Sequence, residues 1–174
     1  MIRFTSLLAA AALAAGAAHA QEKPEGMPQD VADMLREIGP VIEVQRTGPA
    51  YAAMHPSEPY DDVIVYRDLT YGAHERQVVD VFSGTDAGEG KPVLVFVHGG
   101  GFAGGTKHSE GSPFYDNISR WAALNGMVGM QITYRLAPEY QFPAGVEDLG
   151  LFVDWLQNNA GVYGGDPDRI EDEL

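Results

Sequence analysis

Residues 98–102, His-Gly-Gly-Gly-Phe, directly follow the apolar run Val93-Leu94-Val95-Phe96-Val97. A glycine triplet at the end of a buried strand leaves its backbone N–H groups unhindered, so that several can converge on one anion. An oxyanion hole makes that demand; the plain alternative is a tight turn. The context favours the hole. The strand is apolar at every position, His98 marks its end, and Phe102 and Gly104-Gly105 extend the loop toward a helix expected near Pro113.

An oxyanion hole serves a nucleophile, and the chain presents no obvious one. Cysteine is absent, which removes the thiol nucleophile, thiolate metal sites and disulfides together. No G-x-S-x-G occurs, and Ser57, Ser83, Ser109, Ser112 and Ser119 suit turn and cap positions better than a strained strand-to-helix elbow. His55, His74 and His108 are scattered in expected loops without H-x-x-x-H spacing, so they read as surface residues; neither a metal nor a cofactor is expected. The adjacent Glu147 and Asp148 read as a solvated helix face.

The same glycines also satisfy a formal G-x-G-x-x-G through Gly99, Gly101 and Gly104. A dinucleotide site needs a helix to begin within that turn, and an acidic residue after the following strand. Here Thr106–Gly111 intervenes, and Thr133-Tyr134-Arg135 occupies the acidic position. Arg135 can meet a ribose phosphate, so a dinucleotide-binding module stays open as an alternative.

These residues need a scaffold, and the order of elements supplies one. Residues 1–20 read as a signal peptide: Arg3, an apolar stretch from Leu7 to Ala18, and a small-x-small ending that places cleavage after Ala20. The stretch is short and Ala-rich where a membrane span needs about 20 apolar residues. A secreted or periplasmic protein without a membrane span is therefore expected. Residues 21–60 read as a leader plus one short helix, capped by Asp30, with Val31, Met34, Leu35 and Ile38 on one face and Gly39-Pro40 at its end. Residues 45–60 within it read as irregular surface chain.

Residues 61–174 read as one α/β domain. Strands are expected at 63–69, 77–82, 93–97 and 127–133, and the third should be buried on both faces. A helix opening at Ser112-Pro113 would turn Phe114, Ile118, Trp121 and Leu124 inward. Another from Pro143 would bury Val146, Leu149, Val153 and Leu156 and expose Glu147, Asp148, Asp154 and Gln157. The net charge of −14 at pH 7 argues against nucleic acid and anionic membrane as partners.

At this point the chain resembles the α/β-hydrolase esterases close to hormone-sensitive lipase and the bacterial feruloyl-esterase-like enzymes. The resemblance rests on Pro92–Phe102, Tyr134-Arg-Leu-Ala-Pro-Glu139, Phe142-Pro-Ala144, Glu147-Asp148, Trp155-Leu156 and Tyr163-Gly-Gly-Asp-Pro-Asp-Arg-Ile170, in family order over about residues 92–170. Where relatives carry an acid or Asn before the tyrosine, this chain has Thr133. The resemblance implies a mostly parallel sheet flanked by helices. It also implies an oxyanion hole built from the N–H groups of Gly100 and Gly101, with Gly99 setting the turn and His98 orienting the loop. The segment from Tyr134 to Glu139 would brace that region.

In the resembled family Asp168-Arg169-Ile170 begins the strand that delivers the serine, with the acid and histidine further on. Here Glu171-Asp-Glu-Leu174 follows. The expectation is the N-terminal portion of an exported serine carboxylesterase acting on a small-molecule ester, truncated before the nucleophile elbow, inactive alone and dependent on a missing C-terminal half. Without that half the 93–97 strand would become an open sheet edge. A non-catalytic binding protein or pseudoenzyme of the same fold is the alternative.

Overall fold

The computed structural model describes residues 26–173 apart from residues 42 and 87. The expected signal peptide lies outside the described residues. Strands β1 (Val63–Thr70), β2 (Val78–Gly84), β3 (Lys91–Val97), β4 (Val128–Ile132) and β5 (Gly165–Glu173) form one sheet in the order β1-β2-β4-β3-β5. β4, β3 and β5 run parallel, as the alternation of strand and helix implied, while β1 and β2 add antiparallel pairings. The sheet is thus mixed. β3 is an interior strand, with β4 on one side and β5 on the other, so the open edge expected at β3 is closed by β5.

Helices explain the unbroken hydrophobicity of β3. Helix α4 (Ala144–Asn159) covers one face, where its Phe152 and Leu156 join Val79, Val81, Val93, Val95, Met130 and Ile132 in the main core. Helix α3 (Asp116–Leu124) covers the other, near Phe82 and Ala123. With both faces covered, Val93, Leu94 and Val95 are buried, and Phe96 and Val97 are half-buried where the strand nears its end.

The helices depart from expectation in four respects. α1 (Gln29–Ile38) forms and buries Val31 and Ile38, but Pro28 occupies the cap position and Met34 is exposed. Part of the stretch read as irregular is helix α2 (Val44–Ala52), which packs on α1 and buries Ala50 despite the internal Pro49. Tertiary packing outweighs the hydrogen bond that a proline forfeits.

α3 begins at Asp116, not at Pro113, and turns Asp116, Ser119, Ala122 and Ala123 inward while Trp121 and Leu124 face out at 55% and 49% exposure. The reason lies on β4. A side chain at Gly129 would meet the Ser119 carbonyl at 2.2 Å, so helix and strand touch backbone to backbone, and only small residues fit the seam. In α4, Val146 and Val153 are exposed, whereas Ala144, Gly145, Asp148, Phe152 and Leu156 face inward. Asp148 is therefore not on a solvated face. The helix ends in a short 3₁₀ turn, Ala160–Tyr163, and Gly164 in the left-handed region (φ 85°) leads into β5.

Candidate active site

β3 carries the chain to His98, and the glycine loop follows at the C-terminal end of the parallel strands. Gly100 and Gly101 have φ of 123° and 62°, which glycine tolerates and side chains resist. A Cβ at Gly100 would also lie 2.2 Å from the Gly104 carbonyl oxygen. The loop folds onto itself there, and Ala103 N–H donates to the Gly100 carbonyl at 3.1 Å. Among the described residues, no protein acceptor takes the N–H of Gly100 or Gly101. Both glycines are exposed. Two adjacent donors are thus left on a turn whose shape is fixed from elsewhere.

The fixing groups surround the loop. His98 is 2% exposed, and its Nδ1 lies 2.8 Å from the Gly99 carbonyl, which assigns the Nδ1–H tautomer as donor. Burial, aided by the nearby Arg76, pushes the imidazole pKa below its usual range. His98 is thereby a neutral structural group. Tyr134 stacks on it with ring centroids 4.5 Å apart and donates its hydroxyl to the His98 carbonyl at 2.9 Å. Ala137 N–H donates to the Phe102 carbonyl at 2.8 Å, joining the 134–139 segment to the loop.

Sequence reasoning missed two contributors. Arg76, in the turn before β2, donates through Nε to the Tyr134 carbonyl (2.8 Å) and through Nη2 to the Gly105 carbonyl (2.9 Å). A lone arginine in a hairpin carries no signal for that role. Asp148 accepts from the N–H of Arg135 (2.7 Å), from Arg135 Nε (2.9 Å) and from Gln77 Nε2 (2.6 Å). Burial opposes its charge, but these donors hold its carboxyl below the ordinary range. Here a signal existed. Asp148 shares the spacing of Ala144, Phe152 and Leu156, one turn apart on the inward face.

Arg135 is committed to Asp148 and Glu147, and no helix begins between Gly104 and Tyr115. The dinucleotide alternative thereby loses Arg135, the residue that kept it open, and the helix that it requires does not begin in the turn. The serines give no second centre: Ser119 Oγ is buried and donates to Gln131, Ser83 Oγ donates to the Tyr163 carbonyl, and Ser112 Oγ accepts from Phe114 N–H. Ser83 and Ser119 therefore sit within a strand and a helix, not in the turns expected of them. Among the described residues, no serine hydroxyl bonds a histidine.

His108 is also placed differently from expectation. It is half-buried beside a charge cluster on the α3 face of the sheet, with Nδ1 3.2 Å from Asp116. Arg67 pairs there with Asp80 (2.8 Å), Asp116 and Glu58, and Lys107 with Asp80 (2.6 Å) and Asp68 (2.7 Å). Gln131 Nε2 donates to Asp116 at 2.7 Å. Ligand atoms of Glu58, His108 and Asp116 lie within 4.8 Å of one another, near enough for a metal. The guanidinium of Arg67 already supplies the positive charge between the two carboxylates.

A mixed sheet with helices on both faces, and a glycine loop with two acceptor-free N–H groups at the end of β3, match the architecture of the α/β-hydrolase esterases. The BD-FAE family model matches residues 79–171, and the chain belongs to that family. Carboxylesterase NlhH of Mycobacterium tuberculosis is 39% identical over 80 residues, covering 45% of this chain and 24% of that protein. Esterase LipC of the same organism is 32% identical over 127 residues, covering 72% and 30%.

Among solved structures, esterase B of Lactobacillus rhamnosis superposes with a TM-score of 0.60 at 20% identity, over 87% of this chain and 46% of that one, and so shares the fold. The carboxylesterase EstE1 from a metagenomic library gives 0.50 at 29% identity, over 70% and 39%. The chain spans 24–30% of the length of these two curated relatives. No helix among the described residues is long and apolar enough to cross a membrane.

Proposed function

We propose that this chain supplies the oxyanion-hole half of a serine carboxylesterase site. The observation that carries the reading is the pair of acceptor-free N–H groups at Gly100 and Gly101, on a loop pinned by His98, Tyr134 and Arg76. Ester hydrolysis passes through a tetrahedral intermediate whose carbonyl oxygen becomes negative. Fixed donors stabilise that charge without having to reorganise, and losing one such donor typically costs about 3–4 kcal/mol of transition-state stabilisation. Gly99 sets the turn, and His98 orients the loop without exchanging protons with substrate.

Acyl transfer further requires a serine activated by a histidine, which an acid in turn orients. Residues 1–174 hold no G-x-S-x-G, and His98 is occupied by the loop. The nucleophile, base and acid then come from sequence beyond these residues, and the chain by itself does not turn over esters. Export by the 1–20 segment is part of the same proposal and is supported by its charge, length and small-x-small ending.

The test is fluorophosphonate labelling and short-chain ester hydrolysis by residues 21–174 alone, and by the protein extended through its downstream codons in each frame. The expected result is no adduct on the short chain, with labelling and turnover in one extended frame. Labelling of the short chain would overturn the reading. Inactivity of every extended frame would favour a binding protein of this fold.

A further inference from the structure

We propose that a pocket at the far end of the sheet from the glycine loop binds a small organic cation, an N-methylated ammonium group seated against Tyr66 and Tyr163 with Glu89 at its rim. The glycine loop follows the last residue of β3, whereas this pocket is walled by β1 and by the segments that lead into β3 and β5. The length of β3, seven residues, keeps the two sites about 20 Å apart.

The pocket has a volume of about 230 Å³ and is lined by Ile64, Tyr66, Asp86, Glu89, Val162 and Tyr163 among others. The rings of Tyr66 and Tyr163 meet edge to face, with centroids 5.0 Å apart and 65° between the planes, so they form a corner and not a flat platform. The corner is held from several sides. Trp155 stacks on Tyr163 with centroids 6.2 Å apart, and Ser83 Oγ donates to the Tyr163 carbonyl at 3.0 Å. Gly164 lets the loop before β3 close on the turn before β5, because a Cβ there would lie 2.7 Å from the Gly88 carbonyl oxygen.

Electrostatics select the sign of the ligand. Asp86 and Glu89 line the pocket, and no basic residue does. Asp86 is paired with Lys91 at 2.7 Å, whereas Glu89 has no ion pair among the described residues. One uncompensated carboxylate thus lies beside two aromatic rings, whose faces attract cations through their own negative potential. The net charge of −14 adds attraction at longer range. Ile64 and Val162 are 44% and 76% exposed, apolar surface that the methyl groups of the cation would cover. A bare ammonium ion holds its water too strongly to do so.

The experiment uses the 174-residue chain, with amide NMR titrations of tetramethylammonium, of ammonium, of tert-butanol as a neutral molecule of nearly the same size, and of methyl glucoside. Tetramethylammonium is expected to shift the amides of Tyr66, Glu89, Val162 and Tyr163, to leave Gly100 and Gly101 unmoved, and to bind at least about fivefold more tightly than tert-butanol or ammonium. Tyr66→Leu should weaken it at least about fivefold, and Tyr66→Phe, which keeps the ring, by less than about twofold. Glu89→Gln, at an exposed turn position that the fold tolerates, should weaken it about threefold or more and leave tert-butanol unchanged.

Equal affinities for tetramethylammonium and tert-butanol would overturn the selection by charge, and equal affinities for tetramethylammonium and ammonium would overturn the aromatic corner. Methyl glucoside shifting these amides at lower concentration than tetramethylammonium would make the pocket a sugar site and overturn the proposal. So would the absence of any shift with tetramethylammonium, or full affinity in both Tyr66→Leu and Glu89→Gln.

Discussion

Tyr134 holds His98 in two ways: its ring stacks on the imidazole at 4.5 Å with 10° between the planes, and its hydroxyl donates to the His98 carbonyl at 2.9 Å. The first residue after β3 is thereby clamped from β4's side of the sheet. Tyr134→Phe keeps the stack and leaves that buried carbonyl unpaired, so a loss of about 1–2 kcal/mol is expected in urea denaturation. An unchanged midpoint would show that the hydroxyl does not hold the loop.

Acid should destabilise the fold in two stages. The His98 pKa is depressed by burial, so its contribution is complete above the unfolded value of about 6.5 and is lost as pH falls through the lower folded value. Asp116 and Asp148 are also depressed, because Arg67 and Arg135 outweigh burial. Their contribution is complete above about 3.9 and is lost as pH falls below it. Urea midpoints measured from pH 8 downward should fall in both windows, and His98→Gln should remove the upper one. A flat profile between the neutral range and pH 4 would contradict the burial of a neutral His98.

Asp148 and Glu147 are neighbours in sequence and opposites in structure. Glu147 makes a single exposed ion pair with Arg135, whereas Asp148 is fully buried and ties Arg135 to Gln77. Glu147→Gln should change stability by less than about 1 kcal/mol. Asp148→Ala should cost about 3 kcal/mol or more, because it strands the buried donors. Thermal melts of the two variants give the comparison, and equal effects would refute the assignment.

The seam between α3 and β4 yields a similar contrast. Gly129→Ala places a methyl group 2.2 Å from the Ser119 carbonyl and should cost about 2 kcal/mol or more by forcing helix and strand apart. Trp121→Gln removes the larger side chain but one that is 55% exposed, and should be nearly silent. Denaturant midpoints in the reverse order would return the helix to the register that its hydrophobic residues suggested.

That register shows what the sequence carried and what it could not. The strands were legible because Val93–Val97 and Val128–Ile132 are apolar or small at nearly every position and must be covered on both faces. The glycine loop was legible because consecutive glycines after such a strand have few other uses.

What failed was the facing of α3. Hydrophobic periodicity assigns Trp121 and Leu124 to the interior, but the distance between helix and sheet is set by Gly129, on an element that periodicity within α3 cannot see. The charge cluster failed for a related reason: Arg67, Asp80, Lys107 and Asp116 are spread over 50 positions and pair only once the sheet has formed. Tyr134 and Ala137 were assigned a bracing role through resemblance, whereas Arg76 lay outside the matched motifs.

If, as proposed, the Gly100 and Gly101 N–H groups stabilise a developing oxyanion, then in an extended form of the chain that labels with fluorophosphonate the kcat for a short-chain ester should differ between wild type and Gly100→Ala. With φ at 123° and the Gly104 carbonyl 2.2 Å from a new Cβ, the substitution must displace the loop. A fall in kcat of about 10²–10³, with KM and fluorophosphonate-reactive folding retained, is the predicted result. A Gly100→Ala protein that folds and keeps the wild-type kcat would contradict it.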